Sequence, residues 1–245
     1  MNVSFVIIAV LAIGLIGFAL GRQKSVRVVD GDIVKLHSLP SFYGQAVSFF
    51  AIVPALAVLA AWMIVQPMVI QSNVSKLLDP VTTADAVALE LAMADVRRIA
   101  QGLDLAVAEG IMSEADLPGM RADQSDIRGL LAEVGVALGS DVRNDVFEAA
   151  KANRVQTSIG SLIFPVLTIA LSLAGAVLTY RRIAPDFRAR NVSERATYGV
   201  LILCSSVAIL TTLGIVLSLV FETSNFFRLY PAKDFFFNQT WNPQF

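Results

Sequence analysis

Four long runs of apolar residues dominate the chain, and no charged residue interrupts any of them. A helix needs about 20 largely apolar residues to cross a hydrocarbon core of roughly 30 Å. The runs meet this requirement, and they are too uniformly apolar for helices that lie on a membrane surface. The pattern therefore predicts four transmembrane helices, over Val3–Leu20, Val47–Val65, Ile159–Tyr180 and Tyr198–Phe221.

The composition supports the same fold class. Of the 245 residues, 56% are hydrophobic and 16% are charged, whereas an average soluble domain has about 25% charged residues. The net charge of −1 leaves no basic excess for nucleic acid. One cysteine, Cys204, and one histidine, His37, are too few for a His/Cys metal cluster. No nucleotide-binding, nucleophile-elbow or zinc motif occurs, so we expect no catalytic, cofactor or metal site.

The basic residues predict the orientation of the helices. Met1–Ser4 lacks the positive charge with which a signal peptide begins, and the positive charges follow the first run instead, at Arg22, Lys24, Arg27 and Lys35. The segment from Arg181 to Arg195 has five arginines against two acidic residues. Because cytoplasmic loops are enriched in Lys and Arg, both segments are expected inside, and both chain termini outside.

The segment 71–155 lies between the second and third runs, and it is polar enough to form an extracytoplasmic insert. Its first half has one apolar stripe at helical spacing, formed by Leu89, Met93, Val96, Ala100, Leu103 and Val107. A second stripe consists of Ile127, Leu130, Leu131, Val134 and Leu138, and Gly139 is expected to end it. Ser140 is a candidate N-cap for a third helix that continues into the third span.

Two interpretations of this insert are open. Its exposed face could dock a partner or a substrate-binding protein. The simpler interpretation is a small helical cap with a solvated acidic face, since a charged exposed face is usual for any surface helix. His37 lies in a loop, and we expect a structural role for it rather than ligand binding.

Small and polar residues within the spans predict helix contacts rather than chemistry. Gly17 and Gly21 are four residues apart and permit close approach of a second helix, with Gly14 expected on a neighbouring face. Hydroxyl residues of the last run are expected to bond back to their own helix. These residues are Ser205, Ser206, Thr211, Thr212 and Ser218. Because no span carries a charge, the spans lack the usual mark of an ion or proton pathway.

Two stretches of the chain carry a resemblance to a known family. The first is Gly21-Arg22 followed by the segment Leu36–Gly44. The second begins at Glu194-Arg195 and continues through Thr211–Thr223 to the aromatic segment that ends Trp241-Asn242-Pro243. The first stretch resembles the amino-terminal extension in long forms of the phosphate ABC transporter permease family PstC. The second resembles the first helix of the permease core in that family and the periplasmic segment after it.

The resemblance implies a subunit of an importer for inorganic phosphate in a bacterial inner membrane. The implied partners are a second permease subunit (PstA-like), an ATPase subunit (PstB-like) that hydrolyses the ATP, a periplasmic phosphate-binding protein and the lipid bilayer. The family's E-A-A…G coupling loop is not among these 245 residues. The lack of this loop fits three alternatives, which are a truncated permease, one half of a split gene and a fragment. The phosphate-pathway residues are expected in the missing core.

These expectations combine into an all-α, polytopic membrane protein with four parts. They are a helix pair (1–70), the insert (71–155), the third span with its basic loop (156–193), and the first core helix with an aromatic tail (194–245). The alternative is a membrane sensor or scaffold whose insert binds a ligand or partner. A sensor needs a cytoplasmic output domain, and the predicted inner segments are too short to form one.

Overall fold

The computed structural model describes residues 3–123, 126–137, 142–230 and 232–237. These residues form helices, turns and loops, and the described part has no β-strand, which confirms the all-α class. The helices are α1 (Val3–Val28), α2 (Pro40–Val74), α3 (Pro80–Ala84), α4 (Ala86–Ala108), α5 (Ile127–Glu133), α6 (Asn144–Arg181), α7 (Ala189–Leu229) and α8 (Ala232–Phe237).

Helices α1, α2, α6 and α7 are each long and apolar enough to cross a membrane. They contain the four runs predicted from the sequence, so the predicted number and position of the spans are confirmed. The chain divides into two compact units, Met1–Phe187 and Arg188–Phe245. The finer boundaries at residues 70, 155 and 193, and the orientation of the helices in the membrane, stay predictions.

In the first unit, α1, α2 and α6 pack together along their apolar lengths. The buried face of α1 presents Val6 and Val10 at one end and three glycines towards the other. The buried face of α2 repeats every four residues, as expected for a helix that contacts its neighbours along one side. Its members are Val47, Ala51, Ala55 and Leu59, each at most 5% exposed.

Helices α2 and α6 are longer than a bilayer requires. With 35 and 38 residues, they extend about 52 and 57 Å at 1.5 Å per residue, whereas the hydrocarbon core is roughly 30 Å thick. Their ends beyond the apolar runs therefore belong to the insert. Val74 at the end of α2 and Phe147 near the start of α6 are both fully buried in the core of the insert.

The insert is organised around α4, and the predicted first stripe forms its buried side. Met93, Val96, Ala100 and Leu103 are buried, and the other two members of the stripe pack against the same core. Asp85 caps this helix, because its carboxylate accepts a hydrogen bond from the Val87 backbone N–H at 2.9 Å.

The second and third predicted helices of the insert differ in part from the sequence analysis. Helix α5 ends at Glu133 rather than near Leu138. Gly135 has a φ of +78°, a left-handed conformation that favours glycine and turns the chain away from the helix. The predicted end at Gly139 and the predicted cap Ser140 lie outside the described residues. The third helix is continuous with the third span as α6, which confirms that prediction.

The second unit consists of α7 and the short helix α8. Helix α7 has 41 residues, and none of its most apolar 18-residue window is buried. Aromatic rings cluster at its end, with Phe226 and Phe235 5.3 Å apart in an edge-to-face arrangement. Tyr230 belongs to the same cluster, with its ring 6.1 Å from that of Phe226, and tyrosine is enriched at membrane–water interfaces. The predicted ending Trp241-Asn242-Pro243 lies outside the described residues.

Candidate functional site

A polar cleft lies where the insert meets the extended ends of the membrane helices. Its volume is about 360 Å³, and α2, α4 and α6 all line it. Eight polar residues line it. They are Gln66, Gln71, Arg97, Gln101, Asp104, Asn153, Arg154 and Thr157. Amide and guanidinium groups can hold a small polar ligand or ordered water by hydrogen bonds, so the cleft is the candidate binding site of the insert.

Arg154 is one of two arginines in this cleft, and it forms ion pairs with two carboxylates. Its Nε is 2.5 Å from the Asp104 carboxylate of α4, and its Nη1 is 3.3 Å from the Glu114 carboxylate of the following loop. The arginine side chain is only 15% exposed, whereas the two carboxylates are 61% and 75% exposed. Two negative partners offset one positive charge here, so Arg154 serves to tie α6 to the insert.

A second polar contact fixes the start of α6 to the other end of the insert. Arg143 donates to the Thr82 hydroxyl at 3.1 Å and to the Asp145 carboxylate at 2.9 Å. The same Asp145 carboxylate accepts a hydrogen bond from the Asp79 backbone N–H at 3.1 Å. Together with the ion pairs of Arg154, these bonds connect the insert to α6, which is the helix that continues into the third span.

The glycine face of α1 brings it into close contact with α2. Gly14, Gly17 and Gly21 are all buried, and a methyl group at Gly17 or Gly21 would lie 3.0 or 2.9 Å from Val47 of α2. The prediction of close helix approach at Gly17 and Gly21 is confirmed. The placement of Gly14 on a neighbouring face is wrong, because residues three and seven positions apart share one side of a helix.

Small and polar residues of α6 form a contact face that the sequence analysis missed. Thr168, Ser172, Gly175 and Thr179 share one side of the helix, and the three hydroxyl residues are at most 7% exposed. A methyl group on Gly175 would overlap the backbone carbonyl of Phe50 in α2. The sequence signal for this face was the spacing of its small side chains, which follow one another at intervals of four, three and four residues.

The opposite end of the three-helix unit is held by bonds to main-chain oxygens. Lys24 donates to the Tyr180 carbonyl at 2.7 Å, and its ammonium lies 4.4 Å from the centre of the Tyr180 ring. The His37 backbone N–H and the Tyr43 hydroxyl both donate to the Pro185 carbonyl, at 3.2 and 3.3 Å. The bond of His37 is made by its backbone, so the structural role expected of the side chain stays a prediction.

The hydroxyl residues of α7 behave partly as the sequence predicts. The Thr211 hydroxyl donates to the Val207 carbonyl at 2.8 Å, and the Thr212 hydroxyl donates to the Ala208 carbonyl at 3.0 Å. Both bonds run back four residues along the same helix. Cys204 of the same helix is exposed.

The fold and these contacts define a membrane protein with four helices able to span a bilayer and a helical insert between the second and third of them. The family described as "Phosphate ATP-binding cassette transporter" matches residues 7–177. That match covers more than half of the chain, so the protein belongs to this phosphate ABC transporter family. No significant match to the chain occurs among the curated proteins or among the solved structures.

Proposed function

We propose that this chain supplies the amino-terminal part of a permease subunit in a binding-protein-dependent importer for inorganic phosphate. One observation carries the proposal: the family match, residues 7–177, falls within the first compact unit, residues 1–187. The stretch that resembles the start of the PstC core begins at Glu194, in the second unit. Glu194 lies six residues after Arg188, where the second unit begins, so the proposed extension falls mainly in the first unit and the proposed start of the core in the second.

The first unit is proposed to brace the permease rather than to conduct phosphate. The four apolar runs contain no charged residue, and charged residues within spans are the usual mark of an ion pathway. The close contacts of α1 and α6 with α2 and the ion pairs of Arg154 all serve rigidity. A rigid three-helix unit with an attached insert suits a support for neighbouring helices, or a guide for the docking of a binding protein.

The proposed partners are those of the complete importer. They are a second permease subunit similar to PstA, an ATPase subunit similar to PstB and a periplasmic phosphate-binding protein. The proposed location is the inner membrane of a bacterium, with the insert on the periplasmic side. ATP hydrolysis is assigned to the ATPase subunit, so the present chain is a transport component.

Co-purification tests this proposal. The complete permease that contains this chain would be tagged, co-expressed with the ATPase and second permease subunits, and isolated in mild detergent. We expect both subunits to co-purify at a constant ratio and the ATPase activity to respond to phosphate-loaded binding protein. An unrelated four-span protein of similar size is the control. Failure of both subunits to co-purify would overturn the proposal.

The polar cleft favours one other candidate function, that of a membrane sensor or scaffold. A cavity of about 360 Å³ with two arginines and three glutamines is a suitable size for a small polar ligand. A sensor would bind its ligand without any transporter subunit. Calorimetric titration of the isolated chain with small anions, and with an Arg97→Met variant as control, separates this function from the transport role.

A further inference from the structure

We propose that the first unit holds one anionic phospholipid in an apolar groove between α1 and α6. The groove has a volume of about 240 Å³ and an almost entirely apolar lining. Ile16 and Leu20 of α1 form one wall, and Ala176 and Val177 of α6 form the other. Val47 of α2 contributes to the floor. The proposal is independent of phosphate transport and concerns the membrane around the protein.

The groove is open along its length to the surrounding lipid. Ile16, Leu20 and Val177 line it and are 59%, 46% and 47% exposed, so an acyl chain can enter from the side. Gly17 also lines the groove, and the absence of a side chain there leaves room between the walls. Lipid tails are as apolar as the groove, so close packing rather than hydrophobicity must hold a chain in it.

Positive charge at one end of the groove selects the headgroup. Tyr180 belongs to the lining, and the Lys24 ammonium lies on its ring and bonds to its carbonyl. An ammonium has three N–H donors, so this contact leaves Lys24 with further donors for a phosphate oxygen. Arg181 directly follows Tyr180 in the chain. Basic groups beside a groove between membrane helices suit the phosphate of an anionic lipid.

The neighbouring segments increase this charge complementarity. Residues 21–39 and 181–187 contain six basic side chains against three acidic ones. The basic residues are Arg22, Lys24, Arg27, Lys35, Arg181 and Arg182, and the acidic residues are Asp30, Asp32 and Asp186. Under the predicted orientation this end faces the cytoplasmic leaflet, where anionic lipids attract basic segments close to the membrane.

Native mass spectrometry of the intact protein tests the proposal. The protein would be titrated with phosphatidylglycerol and with phosphatidylcholine that have the same acyl chains. We expect one phosphatidylglycerol to bind at least about fivefold more tightly than phosphatidylcholine, because each nearby basic residue contributes about that factor. Equal binding of the two lipids would overturn the proposal.

Two pairs of variants separate the acyl groove from the headgroup site. Ala176→Phe fills the groove and should abolish preferential binding, whereas Ala174→Phe changes an exposed alanine of the same helix and should retain it. Lys24→Gln should weaken phosphatidylglycerol binding about fivefold, and Lys24→Arg should restore it. Lys76→Gln removes a positive charge just beyond the opposite end of α2, in the insert, and should have little effect. Wild-type selectivity in both Ala176→Phe and Lys24→Gln would overturn the proposal.

Other occupants give different results in the same experiment. A free anion in place of a lipid would appear as inorganic phosphate binding that depends on Lys24 but not on Ala176. A second copy of the chain in the groove would appear as a dimer that Ala176→Phe dissociates without loss of bound lipid. Either result would show that the groove holds that occupant instead of a lipid, and it would overturn the proposal.

Discussion

At Gly175, α6 packs directly against the backbone of α2. An alanine methyl group at this position would overlap the Phe50 carbonyl oxygen and lie 2.8 Å from its carbonyl carbon and 3.4 Å from the Ala51 nitrogen. These are backbone atoms, so no rotation of a side chain relieves the overlap and the two helices must separate. Gly175→Ala is therefore expected to destabilise the three-helix unit.

The size of the effect follows from two opposing contributions. Overpacking of a well-packed interior costs about 1–3 kcal/mol, and a contact with backbone belongs at the upper end of that range. Alanine in place of glycine within a helix recovers about 0.5–1 kcal/mol. The expected net loss is about 2 kcal/mol, which lowers the folding equilibrium constant about 30-fold.

The assay is equilibrium unfolding of the purified protein in mild detergent by added SDS, followed by circular dichroism. Gly214→Ala in α7 is the matched control, since a methyl group there meets nothing within 4 Å. We expect the control to unfold at or slightly above the SDS fraction of the wild type, and Gly175→Ala to unfold well below it. Equal midpoints for the two variants would refute the close contact of α6 with α2.

Three further predictions follow from the insert and the topology. Arg154→Met should raise the rate of hydrogen exchange in α4 about fivefold, because an ion pair with exposed partners contributes roughly 1 kcal/mol. Lys35→Met is the control and should leave exchange in α4 unchanged. Equal exchange rates in the two variants would show that Arg154 does not brace α4. Phe147→Ala should cost about 3–5 kcal/mol and make the insert sensitive to limited proteolysis, and an insert that stays resistant would contradict its core position. In a protein with Cys204 replaced by Ala, a cysteine placed at Val81 should react with an impermeant maleimide in intact cells. A cysteine placed at Lys35 should react only after the cells are permeabilised. The reverse pattern would show that the predicted topology is inverted.

The membrane helices could be located from the sequence because lipid imposes a simple requirement. Each span needs a long run without charge, and the four runs satisfy it. Their true ends could not be predicted this way. Helix α6 begins at Asn144, fifteen residues before the apolar run, because tertiary packing of Phe147 in the insert extends it where hydrophobicity gives no signal.

The contacts between helices were only partly predictable. Glycines four apart indicated the contact of α1, but the partner helix could not be identified, because spacing within one helix does not specify which neighbour it meets. The pairing of Arg154 with Asp104 and Glu114 joins residues 50 and 40 positions apart. Long-range ion pairs of this kind depend on how the helices fold back on one another, and the local sequence pattern does not determine that.

The most direct test of the proposed role is phosphate uptake by cells that rely on this transporter. Uptake of radiolabelled phosphate would be compared for the complete permease and for a version without residues 1–187, with immunoblots to match their amounts in the membrane. The bracing role predicts that the deletion lowers both phosphate uptake and recovery of the ATPase subunit with the permease. Unchanged uptake together with unchanged assembly would contradict it.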